Sequence, residues 1–187
     1  TTTTRYNNTI GLDSFAAFEE VLYLAKHFKC DMVLIAGDLF HDNRPSRRTL
    51  HKTMEILRNY CLGPNAVKIQ ILSDPATTLS SSQTNVNYLS EYHSIDLPVF
   101  SIHGNHDDPT RDAGGQLLAA LDLLSVSSLL NYFGRQDQVD QVKVRPILIQ
   151  KGRTSVALYG MGSMRDERLN RMWQSQRCAF CAPKKTK

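Results

Sequence analysis

Two short strings of this 187-residue sequence carry the side-chain types that divalent cations and phosphoesters require. Gly37-Asp38-Leu39-Phe40-His41-Asp42-Asn43 follows directly on the apolar run 32–36. Gly104-Asn105-His106-Asp107-Asp108-Pro109 follows on the run 98–102. Carboxylate, amide and imidazole donors together suit a divalent ion of intermediate hardness such as Mn²⁺, Fe²⁺ or Zn²⁺. Asp38 can bridge two ions through its two oxygens, and Asn105 can give one of them a neutral amide oxygen. Such a pair lowers the pKa of bound water and clamps the attacking and leaving oxygens of a phosphoryl transfer. His106 then falls within reach of the substrate as a general acid for the leaving oxygen. Taken alone, a Gly-Asp after a strand is more often a turn or a helix cap. The weight lies in two such clusters at corresponding places.

Those places follow from the surrounding pattern. Phe15, Phe18, Leu22, Ala25 and Phe28 recur every three or four positions, which predicts an amphipathic helix over 13–28 with Asp13 or Ser14 as N-cap. Met32-Val33-Leu34-Ile35-Ala36 is continuously apolar and reads as a strand buried on both faces. Ser46 can cap a second helix carrying Leu50, Met54, Leu57 and Cys61, closed by Gly63-Pro64. Strands are expected at 67–72 and 98–102, and a third helix at 115–126. Helix and strand in alternation favour an α/β layered fold with parallel strands. In such sheets ligands bind at the carboxyl ends of the strands, where both polar clusters fall. The glycine before each lets the backbone turn sharply.

Beyond residue 140 the pattern changes. Segments 142–149 and 154–159 flank Lys151-Gly152-Arg153, which predicts a hairpin. A short helix is expected at 166–174 and a polar tail at 175–187. The stretch 73–97, with Leu79-Ser80-Ser81-Ser82-Gln83-Thr84-Asn85, reads as a long loop.

On these residues the sequence resembles the calcineurin-like metallophosphoesterases, whose second and third motifs Gly37-Asp38 and Gly104-Asn105-His106-Asp107 match. The longer strings Gly-Asp-Leu-Phe-His-Asp-Asn-Arg-Pro-Ser at 37–46 and Gly-Asn-His-Asp-Asp-Pro at 104–109 are more specific. They resemble the eukaryotic double-strand-break repair nucleases of that superfamily. The likeness runs through Asn131-Tyr132-Phe133-Gly134-Arg135 and Leu158-Tyr159-Gly160 to Arg171-Met172. It implies a layered metallophosphoesterase fold over 13–174, incomplete at both ends, with 1–12 unmatched. It implies Asp38 as the metal-bridging carboxylate, Asn105 as a ligand of one Mn²⁺, His106 as the catalytic histidine and His41 as a residue that positions DNA. A homodimer, an SMC-like ABC ATPase partner within the MRN complex and a nuclear location are further implications. A Ser/Thr phosphatase is disfavoured, because that branch carries Arg-Gly after the second motif and Glu after Gly-Asn-His. Here Phe40-His41-Asp42-Asn43 and Asp107-Asp108-Pro109 stand instead.

From spacing alone His41 is a polar loop residue. Asp42, Asn43 and Asp107 read as caps and supporting partners rather than ligands, and Asp108-Pro109 as a turn. His27, His51 and His93 suit structural or surface roles, and His103 suits strand packing. Arg44, Arg47 and Arg48 flank Pro45-Ser46, where helix amides point outward; phosphate contacts and a solvated charged helix end explain them equally. Leu50, Met54, Leu117, Leu118, Leu121 and Leu124 are expected in the core, with a dimer face as the competing reading.

Composition bounds the setting. With 22 Lys+Arg against 18 Asp+Glu the net charge is +4, which permits a nucleic-acid partner. Seven Tyr, seven Phe and a charged fraction of 21% exclude a disordered chain. No apolar run is long enough to span a bilayer. Four cysteines are too few for a disulfide scaffold and predict a reduced, intracellular chain, with Cys30 and Cys61 as buried thiols. Cys178 and Cys181 form a CxxC without a second ligand pair nearby, which argues against zinc. The chain opens without Met, holds no Asp-x-His before residue 13 and no histidine after His106. The expectation is therefore a piece of a nuclease that binds metal weakly by itself, or else a non-catalytic module that kept the fold and a partner surface.

Overall fold

The computed structural model describes residues 2–79, 85–111 and 114–183, with side chains from residue 13 onward. Residues 80–84 of the expected loop 73–97, and the lysine-rich end of the expected tail, 184–187, lie outside the described residues. In chain order the elements are α1 (Thr2–His27), β1 (Val33–Ile35), α2 (Arg47–Cys61), β2 (Gln70–Ile71), α3 (Pro75–Thr78), β3 (Val99–Ser101), β4 (Thr110–Arg111) and β5 (Leu117–Leu118). These are followed by α4 (Ala120–Val126), β6 (Asn131–Tyr132), β7 (Val142–Val144), β8 (Ile147–Lys151), β9 (Thr154–Leu158), α5 (Asp166–Gln174) and β10 (Cys178–Phe180). No described helix is long and apolar enough to cross a membrane.

β3 is the centre of the molecule. It lies between β1 and β6 in a parallel sheet, in register Val33↔Val99, Ile35↔Ser101 and Phe100↔Asn131. Side chains alternate across a strand, so Val99 and Phe100 enter different cores. Val99 joins Leu22, Ile56, Leu57, Leu121 and Leu124 beneath α1, α2 and α4. Phe100 joins Phe133, Ile147 and Ile149 against the second sheet, ordered β2-β8-β9. That sheet is antiparallel, so of the two three-stranded sheets the expected parallel pairing holds for the first. The layers are helices, parallel sheet, antiparallel sheet, which is the α/β arrangement anticipated from the alternating pattern.

Several boundaries differ from expectation for physical reasons. α1 does not begin at Asp13 or Ser14; both sit inside a helix that runs back to Thr2, with no proline to stop it. Its far end closes on Lys29 at φ +54°, with the Cys30 N–H donating to the Ala25 carbonyl at 2.9 Å. That left-handed cap turns Cys30 outward, so Cys30 is exposed whereas Cys61 is buried as expected. Leu34 is 49% exposed rather than buried on both faces, because β1 is an edge strand and only Val33 and Ile35 pack on the helices. α2 opens as predicted, with Ser46 Oγ accepting from the Thr49 N–H at 3.1 Å. It closes on extended Leu62 rather than through a glycine cap. Gly63 instead lies against the Asp96 carboxylate, where a Cβ would overlap it.

The helix expected over 115–126 begins only at Ala120. Leu117 and Leu118 pair with Arg111 and Thr110 in a small antiparallel ladder and are each 39% exposed. Leu121 and Leu124 are fully buried, with Leu50 and Met54 packed partly against them. The run 142–149 breaks at Pro146, which has no N–H to donate. β8 goes on to the expected hairpin with β9, while β7 turns aside and pairs in parallel with β10 inside the expected tail. The other edge of β7 meets a side chain: the Lys143 N–H donates to Gln136 Oε1 at 3.1 Å, and Gln136 Nε2 donates to the Lys143 carbonyl at 3.3 Å. The stretch 67–72 shortens to β2, and the expected loop 73–97 contains α3 and a 3₁₀ turn, Asn87–Leu89.

Candidate metal centre

The two polar strings leave β1 and β3 at neighbouring carboxyl ends. Gly37 and Asp38 both take positive φ, +102° and +53°, a pair that a bulkier residue than Asp would resist. A Cβ on Gly37 would stand 2.7 Å from the Gly104 nitrogen, and one on Gly104 would overlap Asp38 Oδ1. Glycine at each position thus lets the two backbones touch.

Asp107 ties them together. Fully buried, its Oδ1 accepts from the Gly104 N–H at 2.6 Å and the Asp38 N–H at 3.3 Å, and its Oδ2 accepts from the Phe40 N–H at 3.4 Å. This is the supporting role expected from the sequence. Across the same junction the His106 N–H donates to Asp38 Oδ1 at 3.0 Å. Asn43 Nδ2 reaches Asp108 Oδ1 at 3.5 Å. The rings of His41 and His106 stack, with centroids 4.8 Å apart. Asp38, His41, Asn105 and His106 are all exposed at this rim. Spacing alone makes His41 a loop residue, and the fold lays its ring against that of His106.

A carboxylate offers about four acceptor positions, so one N–H on Asp38 leaves room for cations. Asp38 and Asn105 are oxygen donors suited to a hard or intermediate divalent ion. Among the described residues no group of three or more His, Cys, Asp or Glu side chains is placed to hold a metal. Cys178 and Cys181 are both free thiols.

Beneath the rim, His103 is buried between two partners, with Nδ1 2.6 Å from Tyr132 Oη and Nε2 3.3 Å from the Ser163 carbonyl. A carbonyl only accepts, so these partners assign the proton to Nε2 and let Nδ1 accept from the tyrosine hydroxyl. Burial lowers the pKa of His103, against smaller opposing effects from its bond to Ser163 and from Asp107. The same burial raises that of the Tyr132 phenol. The packing role expected for His103 therefore takes the form of a hydrogen-bonded post under Gly104.

Arg44 Nη2 donates to the Arg111 carbonyl at 3.2 Å, while Arg47 and Arg48 are exposed in the first turn of α2. His27 stacks on Tyr23, His93 lies 3.4 Å from Ser90 Oγ, and His51 is exposed. Sequence reasoning assigned nothing to Arg135. Its guanidinium binds Asp122 at 3.1 Å, Asp137 at 2.5 Å and the Leu117 carbonyl at 2.8 Å.

A model of the calcineurin-like phosphoesterase family matches residues 11–180. Among curated proteins, the double-strand break repair protein MRE11 of Oryza sativa subsp. indica is 53% identical over 167 residues, covering 87% of this chain and 23% of that protein. MRE11 of Homo sapiens is 47% identical over 175 residues, covering 93% and 24%. MRE11 of Arabidopsis thaliana is 50% identical over 167 residues, covering 87% and 23%. The chain thus spans about a quarter of the length of these relatives.

Proposed function

The chain belongs to the calcineurin-like phosphoesterase family, and from that premise we propose that it is part of a manganese-dependent DNA exonuclease and endonuclease of double-strand-break repair. The observation that carries this reading is the locked junction of two strand ends, which presents Asp38, His41, Asn105 and His106 on one rim. Asp38 and Asn105 would hold Mn²⁺, and bound Mn²⁺ supplies an activated water and a clamp for phosphoester oxygens. His106 would donate a proton to the leaving oxygen. His41, stacked against it, would hold the DNA strand for 3′-to-5′ cleavage. Arg47 and Arg48 would contact phosphates on the α2 side, with Arg44 fixed to the backbone near β4.

The MRE11 relatives are named as double-strand break repair proteins. By that likeness the whole protein would act in the nucleus as a homodimer, with an SMC-like ABC ATPase in the MRN complex. The residues present supply two ligands, so the chain by itself would bind Mn²⁺ weakly and leave DNA uncut. The edge of β1 that exposes Leu34 lies beside Asp38, and a further strand paired there would bring its own ligands to the rim.

A second reading, a non-catalytic module that binds other proteins, draws on the lack of a three-residue ligand group among the described residues. Electron paramagnetic resonance of Mn²⁺ with the purified chain separates the two. Weak binding that Asp38→Ala and Asn105→Ala both abolish supports the half-site. Binding indifferent to both changes favours the module. A parallel assay with labelled DNA should show no cleavage, and robust cleavage lost in His106→Ala would overturn the expected inactivity.

A further inference from the structure

The metal rim is not the end of the carboxyl edge of the parallel sheet. Past β3 and β6 lie two adjoining cavities of about 370 and 430 Å³ that share Arg135, Gln136 and Asp137. The smaller begins at His103 and Asp108, two residues beyond His106, and carries Arg165 and Arg168. The larger continues to Lys143 and Arg145 beneath Thr77 and Thr78. We propose that this crevice holds the sugar–phosphate backbone of a nucleic-acid strand as it leaves the rim. The inference rests on the phosphodiesterase reading above and extends it to a path for the substrate.

The distribution of charge supports that path. Arg135 is already neutralised by Asp122 and Asp137, which makes it a wall of the crevice rather than a binding group. Among the described residues, Lys143, Arg145 and Arg165 stand in no ion pair. All three are exposed. Arg168 gives Nη2 to the Gln138 carbonyl at 2.7 Å, and its Nε has no hydrogen-bond partner among the described residues. Of the acids on the lining, Asp137 is taken by Arg135, while Asp108, held by Asn43 at 3.5 Å, keeps its charge at the rim end of the smaller cavity, away from Lys143 and Arg145 in the larger one.

Unpaired cations therefore stand in both cavities. A single small anion would need only one of them. A repeating polyanion uses both, and contacts of this kind position a nucleic acid without reading its sequence. Between the charges the Thr77 and Thr78 hydroxyls already donate to the Asp74 carbonyl at 2.9 and 3.1 Å, so the contact to phosphate oxygens rests on the cations, with the second Nε2 proton of Gln136 beside them.

Fluorescence anisotropy of a labelled single-stranded oligonucleotide with the full chain, repeated across KCl concentrations, tests the path. Lys143→Gln, Arg145→Gln and Arg165→Gln combined remove three exposed charges without touching either core. The expected result is at least a tenfold loss of affinity at low salt, with the slope of log K against log salt smaller by about 2. A parent chain that binds while the triple variant keeps its slope overturns the crevice and leaves the nuclease reading standing. A slope lowered only by Arg47→Gln with Arg48→Gln also overturns it, by placing the strand on the α2 side. A parent chain that fails to bind nucleic acid at every salt concentration overturns both.

Discussion

The imidazole of His41 lies nearly parallel to that of His106, with ring centroids 4.8 Å apart and planes inclined by 22°. One ring comes from the loop after β1 and the other from the loop after β3, so the stack is a second link across a junction already tied through the backbone. Each ring stands in the ring current of the other. His41→Ala should therefore move the His106 Hε1 resonance while leaving distant histidines such as His93 unchanged. An unmoved His106 signal would mean that the stack does not form in solution.

Asp107 should matter more to folding than any ligand. Asp107→Ala would leave the buried N–H of Phe40 and the half-buried N–H groups of Asp38 and Gly104 without their acceptor, and a loss of about 3 kcal/mol is expected. Asp107→Asn keeps one accepting oxygen and should cost less. Urea unfolding of the three proteins measures this order, and equal midpoints would deny the tie its role.

Gly104→Ala forces a methyl group into the Asp38 carboxylate. Either Asp38 turns away or the loops separate, and in both cases the His106 N–H loses its acceptor. The expected signature is faster hydrogen exchange at the His106 amide together with loss of Mn²⁺ binding. Retained protection there would show that the contact is slack.

The two thiols at the ends of α1 and α2 should differ sharply. Cys30 is exposed and Cys61 buried, and burial pushes the Cys61 thiol from about 9 to about 12. Alkylation of the native chain at pH 9 should modify Cys30 and spare Cys61 until denaturant is added. Between pH 9 and 12 the unfolded chain releases the Cys61 proton while the folded chain keeps it. Its contribution is therefore complete below pH 9 and falls as pH rises toward 12, by at most about 1.4 kcal/mol per pH unit. Against a Cys61→Ala reference, a flat difference over that window would contradict the burial.

On the α2 side, Arg47→Glu with Arg48→Glu should weaken binding to duplex DNA and lower the salt slope by about 2. An unchanged slope would leave those arginines as a solvated helix end.

The rim residues were legible because they combine a buried strand, a glycine and a polar string, twice over; each part has a local signature. What the sequence could not show is how the strings meet. Nothing near Asp107 in the chain announces that it will accept from Asp38 and Phe40 nearly seventy residues away. The limits in the fold have the same origin. Asn131 and Tyr132 make a strand of two residues, too short for any period, and earn it by pairing with β3. Leu117 and Leu118 fit a helical spacing yet follow the ladder with Thr110 and Arg111. Leu34 looks like core in the sequence and is half open because of its place at the sheet edge. By contrast α2 and α5 are legible in the sequence, since a capping serine in α2 and a run of helix formers in both act within a few residues.

The paired hydrogen bonds between Gln136 and Lys143 make one glutamine amide take the place that a neighbouring strand's peptide group would fill at that residue. A peptide group so occupied offers nothing to a passing chain, so the ribbon of β7 and β10 is left with a single direction of growth, outward from β10. Gln136 would thus keep another strand from pairing at residue 143, at the cost of one side chain and no added backbone.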